Sequence, residues 1–507
     1  MDYQGGRSWG RLRPIAMDAV RECPPYGIYM LAGVLGSAGH DVTLVDLIAA
    51  GSRSVRPWLE DLGQCGLIGI GATSMSWPTA HDVIRQLRRA GVDAPIVLGG
   101  IHPTMFDRHL LRNFDVQYVV RGEGEVALPT LCAALEGKGD LSAVPNLSWR
   151  TAEGEIVRNA VAPKIDKSAL PEFPLPDYAA LPAGIYKGLA IESSRGCAFD
   201  CSFCSTSYRQ SWRGMAAERF VDRLEAVMAH LPRTRYRTTH IIDDEFSMNP
   251  KRAIEIATVI RQRGLHPKLV YDSRATDLLW PGFVDSIAEF TCQFLVGAEC
   301  GYDEGLKRIG KGSTCKILED AARVLHQHNL SEQVDYSFIL GLPWETRAEV
   351  EKTIRFAMHL HATYGVRVLL QWYCQIPGSR LWEEDRRRAV VTEAMYDDYG
   401  FFRDPYMFRS GVQLTPAEIW EVGDMVEQLK WLAKLMTPGR KMIEFAFPLA
   451  IHQSFPRESL DTTDTGLASL RQIAHPGRAP AAAPMPPSAG LPPMEVGIPQ
   501  RHFVGVD

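Results

Sequence analysis

GLAIESSRGCAFDCSFC (188–204) joins an apolar strand to a loop that carries Cys197, Cys201 and Cys204 in a C-x3-C-x2-C pattern. Three thiolates on one short loop can hold three irons of a cubane cluster and leave the fourth iron without a protein ligand. An open metal position is where a substrate or cofactor can bind. A structural zinc site would normally be closed by a fourth Cys or His, and the next histidines, His230 and His240, lie far downstream. The other seven cysteines (Cys23, Cys65, Cys132, Cys292, Cys300, Cys315 and Cys374) are scattered. They read as small apolar residues rather than as a disulfide framework.

Downstream of the loop, helical and extended patterns alternate. AERFVDRLEAVMAHL (217–231) is helical and THIIDDEF (239–246) is a strand. NPKRAIEIATVIRQRG (249–264) is helical and KLVYDSRA (268–275) is a strand. FVDSIAEF (283–290) is a short helix before the strand QFLVGAE (293–299). Two more pairs follow: ILEDAARVLHQHN with VDYSFILGLP (317–343), and RAEVEKTIRFAMHLH with VRVLLQWYCQIPGS (347–379). Six βα-type units over 186–385 predict a partial barrel of parallel strands, short of the eightfold form.

Upstream, residues 28–150 alternate in the same way. Helix-like IYMLAGVLGSAGH, SVRPWLEDLGQ, WPTAHDVIRQLRRAG and VALPTLCAALEG interleave with strand-like DVTLVDL, GLIGIGATS, APIVLGGIHPT and VQYVVRGEGE. This predicts an α/β, doubly wound domain with its ligand at the carboxyl ends of the strands. A first apolar strand is expected before residue 20, and MDYQGGRSWGRLRP supplies none. Residues 151–185 are proline-rich and read as a linker. Residues 386–460 read as helical, and the Pro/Ala-rich 461–507 as a disordered tail.

Composition sets outer limits. A chain of 507 residues exceeds one ordinary domain, and 46% hydrophobic with 23% charged residues is globular. A net charge of −5 gives no basic excess for holding nucleic acid. No signal-peptide core and no membrane-length apolar run occur, so a cytoplasmic, soluble protein without a membrane span is expected.

The cysteine loop after a barrel's first strand resembles that of the radical S-adenosylmethionine superfamily. The resemblance implies that Cys197, Cys201 and Cys204 bind a [4Fe-4S] cluster. The amino and carboxylate groups of S-adenosylmethionine would then chelate the fourth iron. Phe203 would lie beside the adenine. IIDDEF offers Asp243 and Asp244 toward the methionine moiety, and YDSRATDL offers Ser273 and Arg274 to its carboxylate. FLVGAECGYDEGLKRIGKG resembles the family's G-x-E-S-G segment, with Glu299 as a ribose contact and Cys300 where serine is usual. FILGLPWET resembles the glycine-proline turn beneath the adenine, at Gly341, and QIPGSRLWEE resembles the end of the core.

Residues 1–150 resemble the cobalamin-binding domain that precedes many such cores, through CPPYGIYMLAGVLGSAGHDVTLVDL, GIGATSMS, VLGGIHPT and VVRGEGE. Gly99 and Gly100 would let the backbone approach the corrin. The D-x-H-x-x-G motif of many cobalamin proteins becomes Asp46-Leu-Ile48-Ala-Ala-Gly51, so the lower-ligand histidine is replaced by Ile48. Ser74 and Trp77 are further candidates at the corrin, with Trp77 over its lower face or in the core.

Together the two domains resemble the class B radical methyltransferases. The implied activity is methylation of an unactivated carbon of a small-molecule substrate, by way of methylcobalamin and a 5′-deoxyadenosyl radical. The implied electron donor is a flavodoxin or ferredoxin. The aromatic segment YDDYGFFRDPYMF (396–408) would cap the substrate or pack on the barrel. Relatives that close or contract rings, including the anaerobic cyclase of chlorophyll synthesis, stay open as the alternative. A methylthiotransferase would need a second three-Cys cluster in the first domain, and a cobalamin sensor would need no intact cluster loop.

Overall fold

The computed structural model describes residues 22–398 apart from Ser207, together with Phe401, 412–436 and 443–445. The expected first strand, the tail 461–507 and most of the aromatic segment after Asp398 lie outside the described residues.

Short apolar runs ending in glycine build the first sheet. Strands β1 (Ile68–Gly71), β2 (Ile96–Gly99) and β3 (Tyr118–Val120) are parallel, and β4 (Leu147–Arg150) and β5 (Ile156–Arg158) add an antiparallel hairpin. Alternate residues of β2 serve two different cores. Ile96 and Leu98 pack with Ile84 and Leu110, whereas Val97 packs with Leu131 on the opposite face. Helices therefore cover both faces of the sheet, as the doubly wound reading requires.

Two expected elements differ. DVTLVDL is not a strand among the described residues: residues 41–46 join no sheet there, and helix Leu47–Ala50 begins after its cap, Asp46. Asp46 accepts the Ile48 and Ala49 amides at 3.0 and 2.9 Å, so the carboxylate starts a helix where the apolar pattern alone read as a strand. The linker reading also changes, because β5 pairs with β4 inside 151–185.

The second unit is an open barrel. Strands β6 (Gly188–Ile191), β9 (Thr238–Ile241), β10 (Lys268–Ser273), β11 (Thr291–Glu299), β12 (Val334–Leu340), β13 (Arg367–Trp372) and β14 (Ile443–Phe445) lie side by side in chain order. All their pairings are parallel. Between β6 and β9, the two-residue strands β7 (Ser194–Arg195) and β8 (Arg213–Gly214) form a small antiparallel ladder at the base of the cysteine loop. The six predicted strands are present. β14 adds a seventh from the region read as helical, which also holds helix Pro416–Met436.

Strand alternation divides the barrel's residues. Leu269, Tyr271, Phe294, Val296, Ala298 and Tyr336 join the main apolar core between strands and helices. Their neighbours Val270, Asp272, Leu295, Gly297 and Asp335 face the other way, into the lumen, and stay half-buried. The lumen is therefore open space rather than the packed interior of a closed barrel. Gly188 shows how tightly the first two strands meet: a Cβ there would stand 2.1 Å from the Thr238 carbonyl oxygen.

Candidate active site

The cysteine loop is held from several sides. The Cys197 amide donates to the Tyr208 carbonyl at 3.2 Å, and the Ser211 amide donates back to Cys197 at 3.1 Å. The Ser202 amide donates to Ile309 and the Leu381 amide donates to Ser202, tying the loop to two later segments. Gly196 sits at φ +82, and a Cβ there would meet the Ser211 carbonyl at 2.1 Å, so only glycine fits. Burial pushes the Cys197 thiol up to about 11 and the Cys204 thiol up to about 12. Iron would therefore have to displace protons from these sulfurs. Among the described residues no three His, Cys, Asp or Glu side chains already stand at metal-binding spacing. The loop supplies the donor chemistry of a three-iron anchor.

The carboxylates at the barrel mouth divide into used and available groups. Asp243 is saturated: it accepts the amides of Ser193 and Ser194 at 2.6 and 3.0 Å and their hydroxyls at 2.5 and 2.6 Å. Its neighbour Asp244 bonds the Thr206 side chain and the Gly196 amide on the cysteine loop, and burial pushes its carboxyl up to about 6. Of the two sequence candidates, Asp244 is the one directed at the cysteine loop. Ser273 meets Ser247 at 2.8 Å. Arg274 lies 3.5 Å above the Phe199 ring of the cysteine loop, bonds the Lys311 carbonyl, and keeps Nε without a partner among the described residues. A buried guanidinium with an unused donor suits an anionic ligand group.

Glu299 adopts φ +66, which a non-glycine residue rarely does, and this turns its carboxylate back onto Lys311 Nζ at 2.9 Å. Gly297 leaves room for that pair, since a Cβ there would stand 2.4 Å from Glu299 Oε1. Gly341, at φ +76, begins a turn closed by Glu345, whose Oε2 accepts the Gly341 and Leu342 amides at 2.8 and 2.9 Å. Burial pushes Glu345 up to about 7. Phe203 is half-buried against the main core.

Sequence reading missed Lys311, Glu345, Glu245 and Asp272. Glu245 and Asp272 are both pushed up to about 8, chiefly by burial. Their motif neighbours drew attention instead, and strand alternation alone could have placed Asp272 in the lumen. Asp244 and Glu299 offer acceptors for ammonium and hydroxyl groups and Arg274 a donor for a carboxylate, so these residues fit S-adenosylmethionine.

In the first domain the candidates separate. Gly99 ends β2 and Gly100 caps the following helix Ile101–Asn113; Gly100, at φ +91, brings its Cα against Ala72 so closely that a Cβ would stand 2.8 Å from the carbonyl oxygen. Among the described residues nothing lies within 4 Å of a Cβ placed on Gly99, which leaves the space beside it open to a ligand. Gly51, at φ +60, ends the Leu47–Ala50 helix. Ser74 is buried and bonds His102 Nδ1 at 3.1 Å. Trp77 has no exposed surface, stacks on His102 at 5.1 Å and donates to Asp397 at 2.7 Å. It is a core residue here, not a platform facing a ligand. Asp46 is likewise consumed, since its Oδ2 accepts the Tyr29 and Tyr186 hydroxyls. The strand-end loops nonetheless reach the cysteine loop: a Cβ on Gly122 would lie 3.5 Å from the Tyr208 hydroxyl.

A model of the B12 binding domain matches residues 12–132, and a model of the Radical SAM superfamily matches residues 191–357. An uncharacterized methyltransferase of Pyrococcus horikoshii is 31% identical over 379 residues, covering 71% of this chain and 78% of that one. The anaerobic magnesium-protoporphyrin IX monomethyl ester cyclase of Synechocystis is 28% identical over 322 residues, covering 61% and 63%. The solved structure of the radical S-adenosylmethionine methyltransferase TsrM from Kitasatospora setae, with cobalamin and a [4Fe-4S] cluster bound, superposes with a TM-score of 0.59 at 20% identity, covering 73% of each chain. Among the described residues no helix is long and apolar enough to cross a membrane.

Proposed function

Because the chain belongs to the radical S-adenosylmethionine family whose core follows a B12-binding domain, we propose that it methylates an unactivated carbon of a small-molecule substrate. When bound, the cluster, S-adenosylmethionine and cobalamin supply a carbon-centred radical and a transferable methyl group. The chain's residues bind, orient and shield. Cys197, Cys201 and Cys204 hold the irons. Asp244 accepts from the cofactor's ammonium, and Arg274, with Ser273 beside it, takes its carboxylate through the unused Nε. Glu299, oriented by Lys311, takes the ribose hydroxyls, and the Gly341 turn presents backbone beneath the adenine. Gly99 and Gly100 give the corrin close access to the first domain. The half-buried lumen residues Val270, Asp272 and Leu295 offer the substrate a wall of mixed polarity.

One observation carries this reading: the strand-end loop of the first domain, at Gly122 and Glu123, packs against the cysteine loop. Two cofactors in these places would lie next to each other. The test is anaerobic reconstitution with iron, sulfide and hydroxocobalamin, followed by desalting and electron paramagnetic resonance. A reduced cluster signal together with retained cobalamin is the expected result. A cluster without cobalamin overturns the methyltransferase reading and leaves a plain radical enzyme. The likeness to the cyclase of Synechocystis supports ring closure as the second reading. Methylation releases S-adenosylhomocysteine along with deoxyadenosine and methionine, whereas cyclisation releases deoxyadenosine and methionine without S-adenosylhomocysteine.

A further inference from the structure

The cysteine loop leaves and returns through the β7–β8 ladder, where Arg195 lies directly opposite Arg213. Like charges facing each other across a ladder destabilise it. Both side chains are also nearly buried, at 11% and 10% exposure, where an unpaired charge is costly. The anion that both guanidinium groups share comes from the other domain. Glu123, on the loop after β3, uses one oxygen, Oε1, to accept from Arg195 Nη1 at 3.0 Å and from Arg213 Nη1 at 2.8 Å. Its Oε2 accepts the Ile165 amide at 2.8 Å. Glu125 and Glu192 both bond Arg195. Arg213, by contrast, has Glu123 as its one carboxylate among the described residues and also bonds the Ile165 carbonyl. Arg213 also lies 4.9 Å over the Tyr208 ring, and the Tyr208 carbonyl holds the Cys197 amide.

We infer that Glu123 is a positioning residue for the cluster. Docking of the first domain supplies the anion that closes the neck of the cysteine loop, so cluster retention depends on a residue outside the ligand set. This rests on the reading that the cysteine loop binds the cluster. Without Glu123, the buried Arg213 guanidinium loses its one carboxylate among the described residues, while Arg195 keeps Glu125 and Glu192, and the Tyr208 hold on Cys197 loosens.

The test is a double-mutant cycle in the reconstituted full chain, using Glu123→Gln, Arg213→Gln and both together. Iron release to a chelator is followed by the loss of cluster absorbance. Glu123→Gln is expected to release iron about tenfold faster than the unaltered chain. The double variant is expected to recover most of that loss, because removing the Arg213 guanidinium removes the buried charge left unpaired. Losses that simply add, or a Glu123→Gln rate equal to that of the unaltered chain, overturn the inference. Hydrogen exchange of the 196–212 amides in the metal-free chain provides a readout independent of the cluster. Faster exchange in Glu123→Gln is expected there, and unchanged exchange overturns the inference. If the unaltered chain retains no cluster, the cluster reading itself fails, and the exchange result still decides the role of Glu123.

Discussion

Asp243 accepts four hydrogen bonds from Ser193 and Ser194, whereas Asp244 reaches the cysteine loop. Two adjacent and chemically identical residues thus have different work, decided by which face of the chain each occupies. The same distinction separates cysteines. Cys197 lies on the loop, while Cys300 is fully buried in the main core. Cys197→Ala is expected to abolish the absorbance of the reconstituted cluster, and Cys300→Ala to leave it intact at a stability cost of about 1 kcal/mol. Equal loss in both would show the ligands misassigned. Asp272 offers a pH test. Its carboxyl is pushed up to about 8 in the fold, against an ordinary value of about 4. The folded chain therefore binds this proton more tightly than the unfolded chain does. The associated stability is present below about pH 4 and is lost as pH rises through about 8. Asp272→Asn should raise the urea midpoint of the metal-free chain at pH 8, on the order of 1 kcal/mol, and change it little at pH 4. Glu245, shifted the same way, should keep part of the slope. An unchanged pH profile would place Asp272 in ordinary solvent.

At the scale of elements, the glycine-proline turn shows how one side chain sets a backbone shape. Glu345 accepts the Gly341 and Leu342 amides on one oxygen and the Tyr302 hydroxyl, at 3.0 Å, on the other. Glu345→Ala would leave three buried donors unpaired, which should cost about 2–4 kcal/mol. It should also weaken S-adenosylmethionine binding by equilibrium dialysis, because the turn beneath the adenine loses its shape. Glu345→Gln keeps one acceptor oxygen and should lose less. Full retention of binding in Glu345→Ala would detach this turn from the cofactor. Elements of this kind were unevenly legible in the sequence. Six barrel strands stood out because each is an apolar run followed by an amphipathic helix. Ile443–Phe445 did not, since three residues carry no periodicity and pair only through the register of β13. DVTLVDL looked like a strand because apolar content was visible and the capping role of Asp46 was not. The cysteine spacing announced itself. Lys311, Glu245 and Glu345 did not, because their importance comes from burial beside groups distant in the chain.

At the scale of the whole molecule, the two domains are joined by polar contacts that no local pattern reveals. Asp46 is the clearest case. Sequence placed it at a cobalamin motif, yet its four close donors are all protein groups: the Ile48 and Ala49 amides and the Tyr29 and Tyr186 hydroxyls. Tyr186 lies two residues ahead of β6, so this carboxylate ties the first domain to the start of the barrel. Burial and the neighbouring Asp46 charge hold the Tyr186 hydroxyl well above its ordinary range, so it stays protonated and donates at any physiological pH. Asp46→Ala would leave two buried hydroxyls and two helix-start amides without their acceptor. The expected cost is about 3–5 kcal/mol, read by chemical unfolding at neutral pH. Calorimetry should then resolve two transitions in place of one, because the domains lose a shared anchor. At low temperature, where the variant stays folded, its cobalamin content after reconstitution should match that of the unaltered chain. Normal stability with lost cobalamin would reverse the assignment and return Asp46 to the ligand site. A cost without any splitting of the transition would mean that the Glu123 contacts at the cysteine loop suffice to hold the two domains as one cooperative unit.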